Sequence, residues 1–135
     1  MKTIFPEEML NSSQEAMTLE SIASKLTWFE LQLHMGHWQT SSHATHEALN
    51  LYNTIHDFTD DFIEKLMGYS KRKIRELKIP PIDSNINANK IVENIISYSE
   101  ELSKFAKANR YSDLDNMAQE LSGNAAKTLF LLTLS

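Results

Sequence analysis

The sequence of 135 residues contains no cysteine, three glycines and three prolines. Without cysteine the chain has neither disulfides nor thiolate metal ligands, which excludes a zinc finger. Such a chain suits a reducing compartment or is indifferent to redox state. An all-β chain needs turn residues at short intervals, and six glycines and prolines are too few for that pattern. Helices are therefore the expected secondary structure.

Long apolar runs and a general positive charge are also missing. No stretch reaches the length of a transmembrane helix, and Glu7 and Glu8 stand where a secretion signal would be apolar. We therefore expect a cytoplasmic protein with no membrane partner. The net charge of -5 does not favour DNA binding. A rival prediction of DNA contact rests on the basic cluster at residues 71–75, whose ordinary explanation is a solvated helix end.

Apolar residues recur with helical spacing in four parts of the sequence. Because 135 residues suit one hydrophobic core, residues 1–135 are assigned to a single domain. Gly68 weakens the second helix, but the apolar pattern resumes through Ile74 and Leu77, so this helix is expected to be the longest. The predicted helices span about residues 13–38, 43–77, 88–108 and 112–134. Candidate caps at the helix starts are Ser12, Ser13, Ser42 and Ser112.

The connection between the second and third helices is long. Pro80 and Pro81 end the second helix, and the chain from Ile79 to about Asn87 spans on the order of 30 Å when extended at about 3.3 Å per residue. That is the length of a helix of about twenty residues, so the connection can run from one end of a bundle to the other. We therefore predict an all-α, ferritin-like four-helix bundle with a long crossover between helices two and three.

Histidines and carboxylates cluster on the first two predicted helices. All five histidines fall between His34 and His56, and four acids follow from Asp57 to Glu64. Imidazole and carboxylate ligands together suit iron, manganese or zinc. At about 100° per residue, one stripe of helix two faces away from its own core. Its members are His46, Asn50, Asp57, Asp61 and Glu64.

Two interpretations of this stripe stay open. It is either ordinary solvated surface or part of a site shared with a second subunit. On helix one, His37 is separated from His46 by a short loop, so antiparallel packing of helices one and two would bring the two side chains together. The ordinary alternative for His37 is a half-buried, hydrogen-bonded histidine, and for Trp28 and Trp38 it is packing.

Residues 33–40 read LHMGHWQT, and His46, Glu47 and Asp61 follow. This pattern resembles the Dps proteins, the mini-ferritins of bacteria, in which a His-Trp pair ends the first helix and a His-Glu pair opens the second. The resemblance covers mainly residues 26–68. It implies that His37, His46 and Asp61 match residues that bind and oxidise iron, with the acids contributed by a two-fold partner. The chain is also similar to short Dps-like proteins encoded by bacteriophages.

Three features depart from the Dps pattern. The loop between the histidines is shorter, Asn50 replaces an aspartate, and Lys65 replaces a glutamate. Because Asn50 and Lys65 replace expected carboxylates, we expect weaker or single-metal binding, with Lys65 repelling a second cation unless its flexible stem turns away. Glu64 lies one residue from the expected glutamate. The predicted metal ligands are His37, His46, Asp57, Asp61 and Glu64, and the residues expected to take part in oxidation are His37, His46, Asp61 and Glu64.

The predicted function is that of a Dps-like protein which binds iron or a similar divalent metal between copies of itself. Helices one and two would form the two-fold interface of this homo-oligomer, and ferroxidase activity with sequestration of iron is the implied reaction. The alternative is a metal-free structural or assembly protein, for example one encoded by a phage, that uses the same bundle.

Overall fold

The computed structural model describes residues 16–134, which are helical without any β-strand. Four helices have 20 or 21 residues, and a fifth, short helix lies between the first and second of them. The prediction of an all-α helical bundle is therefore confirmed for this part of the chain. None of the described helices has the length and hydropathy needed to cross a bilayer. In chain order they are α1 (Leu19–Gln39), α2 (His43–Ala48), α3 (Leu51–Ser70), α4 (Ala88–Ala108) and α5 (Ser112–Leu132).

A reciprocal capping box starts α1. The Thr18 hydroxyl accepts from the backbone N–H of Ser21 at 3.0 Å, and the Ser21 hydroxyl accepts from that of Thr18 at 2.8 Å. The predicted start near residue 13 is wrong, because residues 16–18 are not helical. The proposed caps Ser12 and Ser13 lie outside the described residues.

The prediction of one helix over residues 43–77 is wrong. The chain leaves helical geometry after Ala48 and resumes it at Leu51, so that α2 and α3 are separate elements. At its other end, α3 stops at Ser70, because Lys71 adopts a left-handed conformation with φ 57°. With 20 residues, α3 is also not the longest helix.

The remaining helix starts and ends lie close to the predicted ones. Ser42 caps α2, because its hydroxyl accepts from the backbone N–H of Thr45 at 3.3 Å. The bounds of α4 are those predicted. Ser112, the predicted cap of the last helix, is instead its first residue, and α5 ends at Leu132.

The apolar core consists of two clusters stacked along the bundle. Phe29 and Leu33 of α1 pack in one cluster with Ile55, Ile95 and Leu121, which come from α3, α4 and α5. The phenyl ring of Phe29 is 1% exposed and lies edge-on to the ring of Tyr98, with 5.8 Å between centroids. This cluster fixes the C-terminal half of α1 against the other long helices. The second cluster includes Leu26, Phe62, Leu66, Leu102 and Leu114.

Residues 71–87, which we call the strap, join α3 to α4 and lie along α1. Polar side chains of α1 hold the strap through its backbone groups. Gln32 is fully buried, and its amide bonds both the N–H and the C=O of Asp83. From the start of α1 to its end, the bonded pairs are Glu20 with Arg75, Ser24 with Lys78, Trp28 with Pro81, Gln32 with Asp83, and Gln39 with Ser84.

A bidentate ion pair anchors the beginning of the strap. The guanidinium of Arg72 donates to both carboxylate oxygens of Glu20 at 2.7 Å. These bonds, together with the bond from the backbone N–H of Arg75, lower the pKa of Glu20 from 4.5 to about 2. Glu20 is therefore ionised in the folded chain well below its ordinary pKa.

We expect this ion pair to make the stability of the chain dependent on acid pH. A carboxyl whose pKa is lower in the folded state stabilises that state above its unfolded pKa, and loses the effect as pH falls to its folded pKa. The stabilisation from Glu20 should therefore decline between about pH 4.5 and about pH 2. Urea unfolding of the wild type and of Glu20→Gln across that range measures it. A constant difference between the two would contradict the assignment.

Candidate functional site

Two histidines meet at the junction of α1 and α2. His37 lies in the last turn of α1 and His46 in α2. Their imidazole rings are stacked, with 3.7 Å between centroids and 27° between planes. Both side chains are half-buried. The structure thus brings together the two histidines that the sequence separates by a short loop.

Hydrogen bonds define the orientation of both rings. Nδ1 of His37 lies 3.0 Å from the backbone oxygen of His46, and Nδ1 of His46 lies 3.0 Å from the backbone oxygen of His37. A carbonyl oxygen only accepts, so each Nδ1 must carry the hydrogen. In the neutral side chain, Nε2 then keeps a free lone pair. A histidine that ligates a metal is commonly oriented by such a bond from its other nitrogen.

Aromatic side chains surround the histidine pair. The ring of Tyr52 on α3 lies edge-on to His37, with 5.2 Å between centroids. His34, one turn earlier on α1, lies 4.0 Å from Tyr52 and 4.1 Å from Trp38, measured between ring centroids. The indole of Trp38 is 68% exposed. Aromatic surface therefore extends from the pair to the outside of the bundle.

Gly36 allows the chain to pack closely beside His37. A Cβ atom at this position would overlap Cδ1 of Ile86 in the strap and lie 3.2 Å from Cδ1 of Leu49. Gly36 and Leu49 are both buried. The absence of a side chain at Gly36 thus lets the strap and the α2 to α3 junction approach α1 where the pair forms.

The predicted carboxylate ligands lie apart from the pair. Within residues 16–134, no three side chains of histidine, aspartate or glutamate are grouped as metal ligands would be. Asp57, Asp61 and Glu64 are exposed on α3. One chain therefore brings two of the five predicted ligands together.

Two acids of α3 lie at a cleft beside α5. Asp57 and Asp61 line a cleft between α3 and α5, and the Asp61 carboxylate is 3.3 Å from Nζ of Lys65. Glu64 does not line that cleft, and Asp60, one helical turn before Glu64, is also exposed. The helical wheel placed Asp57, Asp61 and Glu64 on one stripe, and all three are exposed on α3, with Asp57 and Asp61 at the cleft beside α5.

A second histidine and carboxylate pair was not predicted. Nδ1 of His56 on α3 lies 3.2 Å from both carboxylate oxygens of Glu30 on α1. The His56 side chain is 68% exposed and that of Glu30 25%. The antiparallel register of α1 and α3 explains this pair. His34 faces Tyr52, and four residues away on each helix Glu30 faces His56, so one known contact would have predicted the other.

Comparison with known proteins gives one family. A family model described as Family of unknown function (DUF5856) matches residues 37–132. The matched range begins at His37 and includes His46, the strap and the helices α2 to α5. No curated protein and no solved structure matches the chain significantly.

Proposed function

The chain belongs to the family of unknown function DUF5856, and from the geometry of its site we propose that it binds iron or a similar divalent metal between two copies of itself. The protein would be Dps-like, with His37 and His46 as nitrogen ligands and with carboxylates from the α3 helix of the second copy. Iron(II) is then the substrate, and its oxidation by peroxide or oxygen is the reaction that the Dps resemblance implies.

The reciprocal bonding of His37 and His46 carries this proposal. In both stacked imidazoles Nδ1 bonds a backbone oxygen, so that Nε2 is the nitrogen left to act as a metal ligand. Backbone oxygens hold both rings, so little side-chain entropy remains to be lost when an ion binds. A ligand set of imidazoles and carboxylates fits iron, manganese and zinc.

A second copy supplies the missing ligands in this proposal. Two histidines alone are too few for a stable divalent site. Asp57 and Glu64 are exposed on α3 and are the better candidates, because Lys65 already pairs with Asp61. Asp60 is a further candidate because it is exposed one turn before Glu64. The net charge of -5 favours the approach of cations.

The path of the strap supports a ferritin-like arrangement of the bundle. Its bonds to α1 begin at Glu20 and end at Gln39, so the strap follows α1 from its first turn to its last. A strap of that length allows α4 to begin near the end of α1 and run parallel to α3, which is the crossover of ferritin-like folds.

Mass measurement on the wild-type protein tests the proposal. Native mass spectrometry after anaerobic addition of iron(II) should find the ion bound to dimers or larger assemblies and not to the monomer, because the monomer offers two ligands. Asp57→Asn combined with Glu64→Gln should lower the bound fraction by about 10-fold or more. The control is Glu93→Gln with Glu100→Gln, which removes two exposed acids from α4. Equal loading of the monomer, or no binding at all, would contradict the proposal.

A metal-free structural or assembly role is the second candidate. It is favoured by exposed apolar side chains on α1, since Leu31 is 40% and Trp38 68% exposed. The two residues are seven positions apart and therefore lie on one side of α1, and exposed apolar residues on one side of a helix are typical of protein interfaces. Elemental analysis separates the two functions. A stable homo-oligomer that never retains iron, manganese or zinc would support assembly without metal.

A further inference from the structure

The outward side of the strap is basic and apolar. Residues 71–79 contain five bases and one acid. Arg72 pairs with Glu20 and Lys78 with Glu76. Leu77 is 50% exposed and Ile79 38%. Within the described part of the chain, three further bases of the strap have no ion-pair partner, namely Lys71, Lys73 and Arg75.

The cleft between α3 and α5 has the complementary character. Its volume is about 250 Å³. Among its acids, Asp61 pairs with Lys65, whereas no ion pair joins Asp57 or Glu120 to another described residue. The acids of the cleft are Asp57, Asp61 and Glu120, and its apolar lining consists of Phe58, Met117 and Leu121.

We propose that the strap of one copy docks in the α3–α5 cleft of a second copy. Arg75 then approaches Glu120, and Leu77 packs on the apolar lining of the cleft. The bases and apolar side chains of the strap are complementary to the acids and apolar side chains of the cleft. Both surfaces belong to the same chain, whose net charge is -5.

A nucleic acid fits the strap less well. Phosphates would pair with the bases but would leave Leu77 and Ile79 exposed, and the acidic remainder of the chain would repel them. An acidic protein surface with apolar side chains satisfies both features, and the cleft is such a surface on the chain itself.

The strap and the α3–α5 cleft are different surfaces of one copy, and this limits how copies can assemble. The strap lies along α1, whereas the cleft lies between α3 and α5, so the contact joins two different surfaces. Reciprocal docking of two straps in two clefts gives a two-fold dimer, and one-way docking gives a closed ring or an open filament. The cleft shares Asp57 with the proposed metal site. The docking test therefore changes Arg75 and Glu120, neither of which is a proposed ligand, so that its failure and that of the metal site are distinguishable.

Charge reversal in two full-length variants tests the docking. In Arg75→Glu the strap and the cleft both carry acid at the contact, and in Glu120→Lys both carry base. Each variant alone should therefore associate at least about 10-fold more weakly than the wild type. In an equimolar mixture, the strap of each variant can dock in the cleft of the other, where the charge at this position is opposite. The mixture should regain the sedimentation coefficient of the wild type.

Salt and matched variants complete the experiment. Sedimentation velocity at about 0.05 M and about 0.5 M NaCl should show weaker association at the higher concentration. The controls are Lys104→Glu and Glu100→Lys, which reverse exposed charges on α4 and should associate as the wild type does. A mixture that stays dissociated, or single variants that assemble like the controls, would overturn the proposal. Recovery in the mixture also demonstrates that both variants fold.

Discussion

Replacing Phe29 by alanine should lower the free energy of unfolding by about 3–5 kcal/mol. The side chain is 1% exposed and belongs to the core cluster that joins α1 to α3, α4 and α5. Its ring also makes the edge contact with Tyr98 and a tilted contact with Trp28, at 5.8 and 5.5 Å between centroids. Truncation would leave a cavity that these helices cannot close without moving apart.

Phe130→Ala is the matched control for this substitution. It removes the same side chain from α5, but Phe130 is 61% exposed, so the change should cost less than about 0.5 kcal/mol. Urea unfolding followed by circular dichroism measures both variants. A loss below about 1 kcal/mol for Phe29→Ala would mean that the C-terminal half of α1 is not held by this cluster.

Periodicity was sufficient to predict the helices that pack along their whole length. Ile22, Leu26, Phe29 and Leu33 recur with helical spacing, and all four are buried in α1. The bounds of α4 were predicted for the same reason, since its apolar side is continuous from Ile91 to Leu102. In both helices, local pattern and tertiary packing give the same structure.

Periodicity failed where nonlocal bonds replace helical ones. Ile74 packs against the core as a helical residue would, but it belongs to the strap. The strap is held by side chains of α1 that lie about fifty positions earlier, such as Ser24 with Lys78 and Gln32 with Asp83. A local sequence pattern does not predict hydrogen bonds between residues about fifty positions apart. Gly68 weakens the helix two residues before its observed end at Ser70, but the apolar pattern through Ile74 and Leu77 wrongly predicted that the helix continues.

In the candidate site, too, local contacts could be predicted from the sequence and nonlocal ones could not. The approach of His37 to His46 follows from a short loop between two antiparallel elements, which is a local property. Which acids would face a second copy depends on contacts between copies, and no periodicity within one chain describes those contacts. The sequence therefore predicted that His37 and His46 approach one another, whereas their role as metal ligands and the choice of acids both stay predictions.

Replacing both His37 and His46 by alanine should reduce the affinity for iron(II) by more than about 100-fold. Loss of an outer-shell partner alone commonly costs 10-fold to 100-fold in metal affinity, and here both proposed nitrogen ligands are removed. The substitution also removes the two reciprocal bonds to the backbone, so the free energy of unfolding should fall by about 1–2 kcal/mol. The helical circular dichroism signal should change little, because both side chains are only half-buried.

Two further variants separate metal ligation from structural support. Replacing both His37 and His46 by glutamine keeps an N–H donor for each backbone carbonyl, but glutamine is a poor ligand for iron. Compared with the alanine variant, the glutamine variant should therefore regain stability but not affinity for iron(II). His43→Ala with His56→Ala removes two exposed imidazoles elsewhere and should bind iron as the wild type does. Anaerobic calorimetric titration with iron(II) measures all three double variants. If the glutamine variant binds as tightly as the wild type, His37 and His46 serve only to join α1 to α2, and the metal site lies elsewhere.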